Sequence, residues 1–184
     1  MTPHRCLLAI PLGPLGNARV GLASRTGQAP GVPPRDQPML WCQDAKHLIA
    51  LGEDGVIVGT LFPAGSPVPM RSLSGQVRSC TGPAALATWL AHNCWGAFVA
   101  IMSDRECGHT FVFRDPSGLL PLYRIETATH VVLATDLSLF AQAGFVAPRV
   151  SWPSLAAHLR RPELREADTC LAGLREIAPG ELLA

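Results

Sequence analysis

At 184 residues, 48% of them apolar, and with a formal net charge of +1, the chain has material for one sizeable domain with its own core. Charge this near neutral, with arginines spread thinly, argues against a nucleic-acid footprint or a basic membrane patch. The positive mean hydropathy argues against a chain that stays disordered.

Cys6-Leu7-Leu8-Ala9-Ile10 reads as a buried strand. His4-Arg5 in front of it imitates the start of a secretory signal, but Pro11, Gly13, Pro14 and Gly16 break the apolar run too early. A core strand in a cytoplasmic protein is therefore the expectation. From Pro11 to Pro38 the chain holds several glycines and, by Pro34, five of its 17 prolines, which predicts loop. Trp41 to Leu51 has room for one or two short strands, Val56 to Phe62 for another, and Pro63 to Pro69 is a turn-rich connection. The clearest helix begins near Thr81, with Pro83 in its first turn, and runs to about Asn93. Leu86, Trp89 and Leu90 share one of its faces.

Gly96 to Ser103 and His109 to Arg114 form a strand pair about a turn at residues 104–108. In the first strand both alternating sets, Ala97/Val99/Ile101 and Phe98/Ala100/Met102, are apolar. A strand apolar on both faces must be covered on both, so it belongs to an inner sheet of a layered sandwich. Tyr123 to Ile125 and His130 to Thr135 make a further hairpin, and Asp136 caps a short helix reaching Ala143. A last helix runs from Trp152 or Pro153 to Arg160. No apolar run approaches the ~20 residues of a membrane-spanning helix, and no internal repeat is present.

The six cysteines (Cys6, Cys42, Cys80, Cys94, Cys107, Cys170) lack any C-x-x-C pair and the six histidines are scattered, so no metal site is expected. The thiols are expected to be free and mostly packed as small apolar groups. Asp104, Asp115 and Asp136 fall at strand ends, where aspartate caps turns. Arg114-Asp115 reads as a local turn-stabilising pair, and Tyr123, the only tyrosine, as a core side chain with a bonded hydroxyl. Arg160, Arg161 and Arg165 read as a solvated helix end, or else as a contact with a partner domain.

The run from Arg114 to Tyr123 resembles the R-D-x-x-G-x-x-P-L-Y turn of the glutamine amidotransferase domain that opens asparagine synthetases, through Arg114, Asp115, Gly118, Pro121 and Tyr123. Three further stretches follow the family in order. Trp95-Gly96-Ala97-Phe98-Val99 resembles its Gly-x-Phe strand, Ala134-Thr135-Asp136 its Ala-Ser-Glu or Ala-Ser-Asp, and Gly173 to Leu182 its Gly-Leu-x-x-Ile-x-Pro-Gly-x-Leu closing segment. Trp95-Gly96, Val58 to Phe62, the Arg114-Asp115-Pro116-Ser117-Gly118 wording and the stretch from Leu159 to Leu171 are most similar to lasso peptide cyclases, enzymes that join a peptide's N-terminal amine to an Asp or Glu side chain. The resemblance implies an α+β fold, a four-layer αββα sandwich of the N-terminal-nucleophile type with mostly antiparallel sheets. Residues 1–184 would be one partial amidotransferase-like domain.

Glutamine hydrolysis in that family needs a cysteine as the first residue of the mature chain, its own α-amine serving as base. Here position 2 is Thr2, followed by Pro3, which hinders removal of Met1. Cys6 imitates the family's opening strand but has five residues before it. Where the family has its Asn-Gly oxyanion pair this chain has Val58-Gly59-Thr60, and where the acidic clamp should stand it has Thr81-Gly82-Pro83-Ala84. Thr2 and Cys6 are thus the only nucleophile candidates, and a pocket near Gly59 and Thr60 is expected to be vestigial.

The expectation is a non-hydrolysing domain of a lasso-cyclase-type enzyme with a structural or interaction role. The relatives' ATP-using synthetase domain, with its S-G-G-x-D-S loop, has no counterpart here, as in a truncated product or one half of a split gene. ATP and magnesium would belong to that domain alone, and this chain would need no cofactor. Partners would be the synthetase domain or subunit, and a precursor peptide or leader-binding protein. An active glutamine-hydrolysing domain of an asparagine synthetase and a free-standing hydrolase of the same fold remain the alternatives.

Overall fold

A computed structural model of the protein describes residues 4–12, 23–26, 29–35, 37–51, 55–73, 80–104, 108–145, 149–161 and 167–184. Its first strands are β1 (Cys6–Pro11), β2 (Ala23–Thr26), β3 (Met39–Cys42), β4 (Leu48–Ala50) and β5 (Gly55–Pro63). Helix α1 (Pro83–Asn93) leads into β6 (Cys94–Ser103), β7 (Thr110–Arg114), β8 (Tyr123–Glu126) and β9 (His130–Ala134). Helices α2 (Ser138–Gln142) and α3 (Trp152–Arg160) precede β10 (Leu174–Glu176) and β11 (Leu182–Leu183). No described helix is long and apolar enough to cross a membrane.

The chain is mixed α+β and mostly sheet. One sheet has the order β10-β8-β9-β1-β3-β2 and the other β11-β7-β6-β5-β4. All the pairings are antiparallel except β2 with β3. β2 lies inside the segment expected to be loop. Ala23-Ser24-Arg25-Thr26 shows no apolar alternation, so only its backbone ladder with Met39–Cys42 reveals it. A ladder bond depends on the main chain, which is why composition missed it.

Apolar side chains fall into three clusters that follow strand alternation. Between the sheets lie Leu8, Leu40, Val58, Val99, Ile101 and Leu133. On the outer face of the five-stranded sheet, Ile57, Leu61, Phe98 and Met102 pack with Leu86 and Leu90 of α1. On the outer face of the six-stranded sheet, Leu7, Met39, Trp41 and Val132 pack with Leu139 and Phe140 of α2. β6 is buried on both faces, as its doubly apolar pattern predicts.

The helices differ in what holds them. α1 has Gly82 as N-cap with no side-chain bond, and Pro83 opens it. Its anchor is burial of Leu86, Ala87 and Leu90, the two leucines contributing about 3–6 kcal/mol together. α2 is entered through Asp136, whose Oδ1 accepts from the Ser138 amide at 2.8 Å, one residue ahead of the N-cap Leu137. α3 has a side-chain cap, Ser151 Oγ accepting from the Ser154 amide at 3.4 Å, yet none of its residues is buried.

Candidate functional site

The four stretches singled out in the sequence gather at two places. Three meet at the Arg114 turn. Arg114 is 2% exposed, and its guanidinium donates to the carbonyls of Leu120 (2.9 Å), Gly118 (3.0 Å) and Ile177, and to Glu176 Oε1 (2.9 Å). Ile177 and Glu176 lie in the closing segment, so one side chain ties the turn to residues 62 and 63 positions away. The main chain repeats the tie, because Gly180 N donates to the Arg114 carbonyl at 3.2 Å and Arg114 N to that of Glu181 at 3.1 Å.

Asp115 serves the same turn separately from Arg114. Its carboxylate accepts from the Ser117 hydroxyl and from the Leu119 and Leu120 amides, both at 3.3 Å. Its own amide donates to the Phe98 carbonyl at 3.1 Å, and Ser117 Oγ lies 3.2 Å from Gly96 O. The Trp95-Gly96 strand therefore joins the cluster too. Arg114 and Asp115 stabilise the turn through the backbone rather than by pairing with each other. Tyr123, half-buried, packs on the outer cluster of the six-stranded sheet.

The fourth stretch clamps the start of β1. Thr135 Oγ1 accepts from the Cys6 amide at 2.9 Å and donates to the His4 carbonyl at 2.7 Å. Asp136 pairs with Arg5 at 3.2 Å. Cys6 is 3% exposed, and burial, reinforced by the neighbouring Cys42, pushes its thiol up to about 12. Such a thiol is neutral at physiological pH and lacks the thiolate a nucleophile needs. Its amide nitrogen is a peptide nitrogen inside a strand, not a free amine. Thr2 lies outside the described residues.

Near this end of β1 the two sheets are joined by a hydrogen bond between His4 Nε2 and Thr60 Oγ1, 3.0 Å apart. Strand alternation turns Thr60 to the same side as Val58, the inter-sheet side. The His47 ring stands edge-on to His4 with centroids 4.2 Å apart. Burial, then His47 and Lys46, lower the His4 pKa from 6.5, and burial and Lys46 likewise lower that of His47. The rings are therefore neutral at neutral pH. Lys46 is held by Asp44 at 2.6 Å, which in turn lowers the Asp44 pKa.

Two glycines shape this end. Gly59 has φ 127°, and a Cβ there would lie 2.2 Å from the Ala97 carbonyl. Gly96 has φ 135°, and its Cβ would lie 2.2 Å from the Thr60 carbonyl. They bracket the Thr60–Ala97 pair in the β5–β6 register, so both strands pass at a distance no side chain permits.

A hydroxyl bonded to a neutral imidazole is the geometry of a nucleophile with its base. Among the described residues, other parts of a hydrolytic site are missing around it. His4 Nδ1 is buried with no partner among the described residues, so no third group orients the ring. Val58 is fully buried and offers no side-chain donor for an oxyanion. Residues 81–84 open α1 and present no carboxylate. Among the described residues no three His, Cys, Asp or Glu converge as metal ligands. The sequence marks Thr135 and Glu176 only as members of resembling stretches, and His4 and His47 not as site residues at all. Each acts through a partner more than 40 residues away in the chain, which spacing alone does not signal. No family model matches the chain, and a search of curated proteins finds no match to it either.

Proposed function

We propose that this chain is a non-hydrolysing amidotransferase-like domain of an asparagine-synthetase-like lasso peptide cyclase. The observation that carries the reading is the Arg114 turn, where three resembling stretches are bonded to one another as a single scaffold. In support of a four-layer αββα arrangement, α1 and α2 pack on the outer faces of two sheets whose inner faces share one core. In support of lost hydrolysis, the Cys6 thiol is buried and raised, and Val58 stands where an oxyanion donor would be needed.

The role is that of a scaffold. The domain packs on an ATP-using synthetase domain or subunit and helps hold a precursor peptide or a leader-binding protein. Amide-bond formation, with ATP and magnesium, belongs to that partner. The test is glutamine hydrolysis by the purified chain, read as glutamate release. The expected result is none above buffer. Release that disappears in Cys6→Ala or Thr2→Ala would instead establish a working glutaminase. Intact mass adds a second check, because retained Met1 rules out Thr2 as a terminal nucleophile. An S-G-G-x-D-S reading frame downstream of Ala184, beside a short precursor gene, is the expected genomic setting.

A further inference from the structure

Cys6 and Cys42 stand directly opposite each other across β1 and β3. Gln43 N donates to the Arg5 carbonyl at 3.0 Å, so the next pair along, Cys6 with Cys42, is a non-hydrogen-bonded one. The Cys6 backbone agrees, since its amide bonds to Thr135 Oγ1 and its carbonyl to the Thr135 amide, on the side away from β3. Opposite residues of that kind have Cα atoms about 4.5 Å apart. A disulfide spans Cα separations of about 4.4–6.8 Å, so the two strands already hold the distance the bond needs.

Both side chains are free thiols and both turn into the cluster between the sheets. Cys80 and Cys94 pack on the outer face of the five-stranded sheet, a whole layer away. Cys6 and Cys42 therefore have each other as the thiol within reach. Among the described residues no third metal-ligating group joins the pair. Two facing cysteines without one are equipped for thiol–disulfide chemistry.

We infer that Cys6 and Cys42 are a redox pair, which a small-molecule disulfide converts into a cross-strand cystine that staples β1 to β3. With Cys6 3% and Cys42 1% exposed, exchange waits for the start of β1 to open. One thiolate then attacks the small disulfide, breaking its sulfur–sulfur bond and releasing one half as a thiol. The other thiolate attacks the mixed disulfide so formed and releases the second half. Two protein thiols give up two hydrogens and two electrons, and one small disulfide becomes two thiols. Once β1 closes again, the cystine lies in the core, away from reductant. The staple governs the strand end that sets His4 against Thr60. In the reduced chain that end is held by Thr135 and the ladder alone, and in the oxidised chain by a covalent bond as well. The inference rests on strand register and not on the proposed lineage.

The test incubates the folded full chain with glutathione disulfide in urea below the unfolding midpoint, then blocks free thiols and maps peptides without reduction. The expected product is lighter by two hydrogens, has the Cys6 and Cys42 peptides linked, and keeps its native circular dichroism. The Gln43 and Thr135 amides, which donate to the carbonyls of Arg5 and Cys6, exchange hydrogen at least about tenfold more slowly than in the reduced chain. The urea midpoint rises, because the cystine restricts the unfolded chain between residues 6 and 42. In Cys42→Ala, glutathione instead accumulates on Cys6. Linkage of any other cysteine pair overturns the inference. So does glutathione retained on Cys6 of the parent chain, or no linkage under conditions where an alkylating reagent modifies both thiols. A linked product whose Gln43 and Thr135 amides exchange no more slowly also overturns it, since the bond then does not hold the strand end.

Discussion

Replacing Arg114 by methionine keeps most of the stem volume and removes the guanidinium. Three backbone carbonyls, those of Gly118, Leu120 and Ile177, then lose their donor, and Glu176 loses its cation. Each buried acceptor left unpaired costs about 1–3 kcal/mol. The Glu176 side chain is 34% exposed, so water recovers much of its share and that pair contributes about 1 kcal/mol at most. With the Leu120 and Ile177 acceptors buried and that of Gly118 only partly so, the expected loss is about 3–5 kcal/mol. Since domains of this size have about 5–15 kcal/mol in all, the variant should be markedly closer to unfolding. Urea denaturation followed by circular dichroism measures the difference. Arg114→Lys should recover only part of it, because an ammonium cannot reproduce the fork, and Glu176→Gln should cost under about 1 kcal/mol. An Arg114→Met midpoint that matches the parent's to within about 1 kcal/mol would refute the reasoning.

The Gly59→Ala change places a Cβ 2.2 Å from a backbone oxygen at φ 127°, and should cost about 3 kcal/mol or more by urea denaturation. The His4 and His47 pKa values are lowered in the folded state from 6.5, so the unfolded chain takes up protons first. Their contribution to stability is complete well above that value and falls as pH drops through it, and His4→Gln should flatten the slope of thermal midpoint against pH in that window. With an aromatic disulfide reagent at mildly alkaline pH, the half-buried Cys80 and Cys170 should react in the native state. Cys6, raised to about 12, and Cys94, raised to about 11 by burial, should wait for unfolding; rapid native-state labelling of Cys6 would contradict its burial.

Elements with their own periodicity or punctuation were legible in the sequence. The doubly apolar run from Ala97 to Met102 could be read as an inner strand because burial on both faces leaves no polar alternation. Pro83 and the leucines after it announced α1 for similar reasons. β2 was illegible, because Ala23-Ser24-Arg25-Thr26 is recruited by main-chain bonding to β3 and carries no pattern of its own. The candidate site was legible only in part. The resemblance marks Gly59 and Thr60, whereas His4 and His47, the groups that give Thr60 its surroundings, carry no local signal.

By itself the sequence determined the strand-rich character of the chain, its one clear helix and the wording of the Arg114 turn, all properties of residues close together in the chain. Tertiary structure alone decided that Arg114 reaches Ile177, that Thr135 grips the start of β1, and that His4 meets Thr60 across the two sheets. Those contacts join residues 63, 129 and 56 positions apart. Local patterning records which face a residue turns inward, whereas the partner it meets there depends on how separate strands stack.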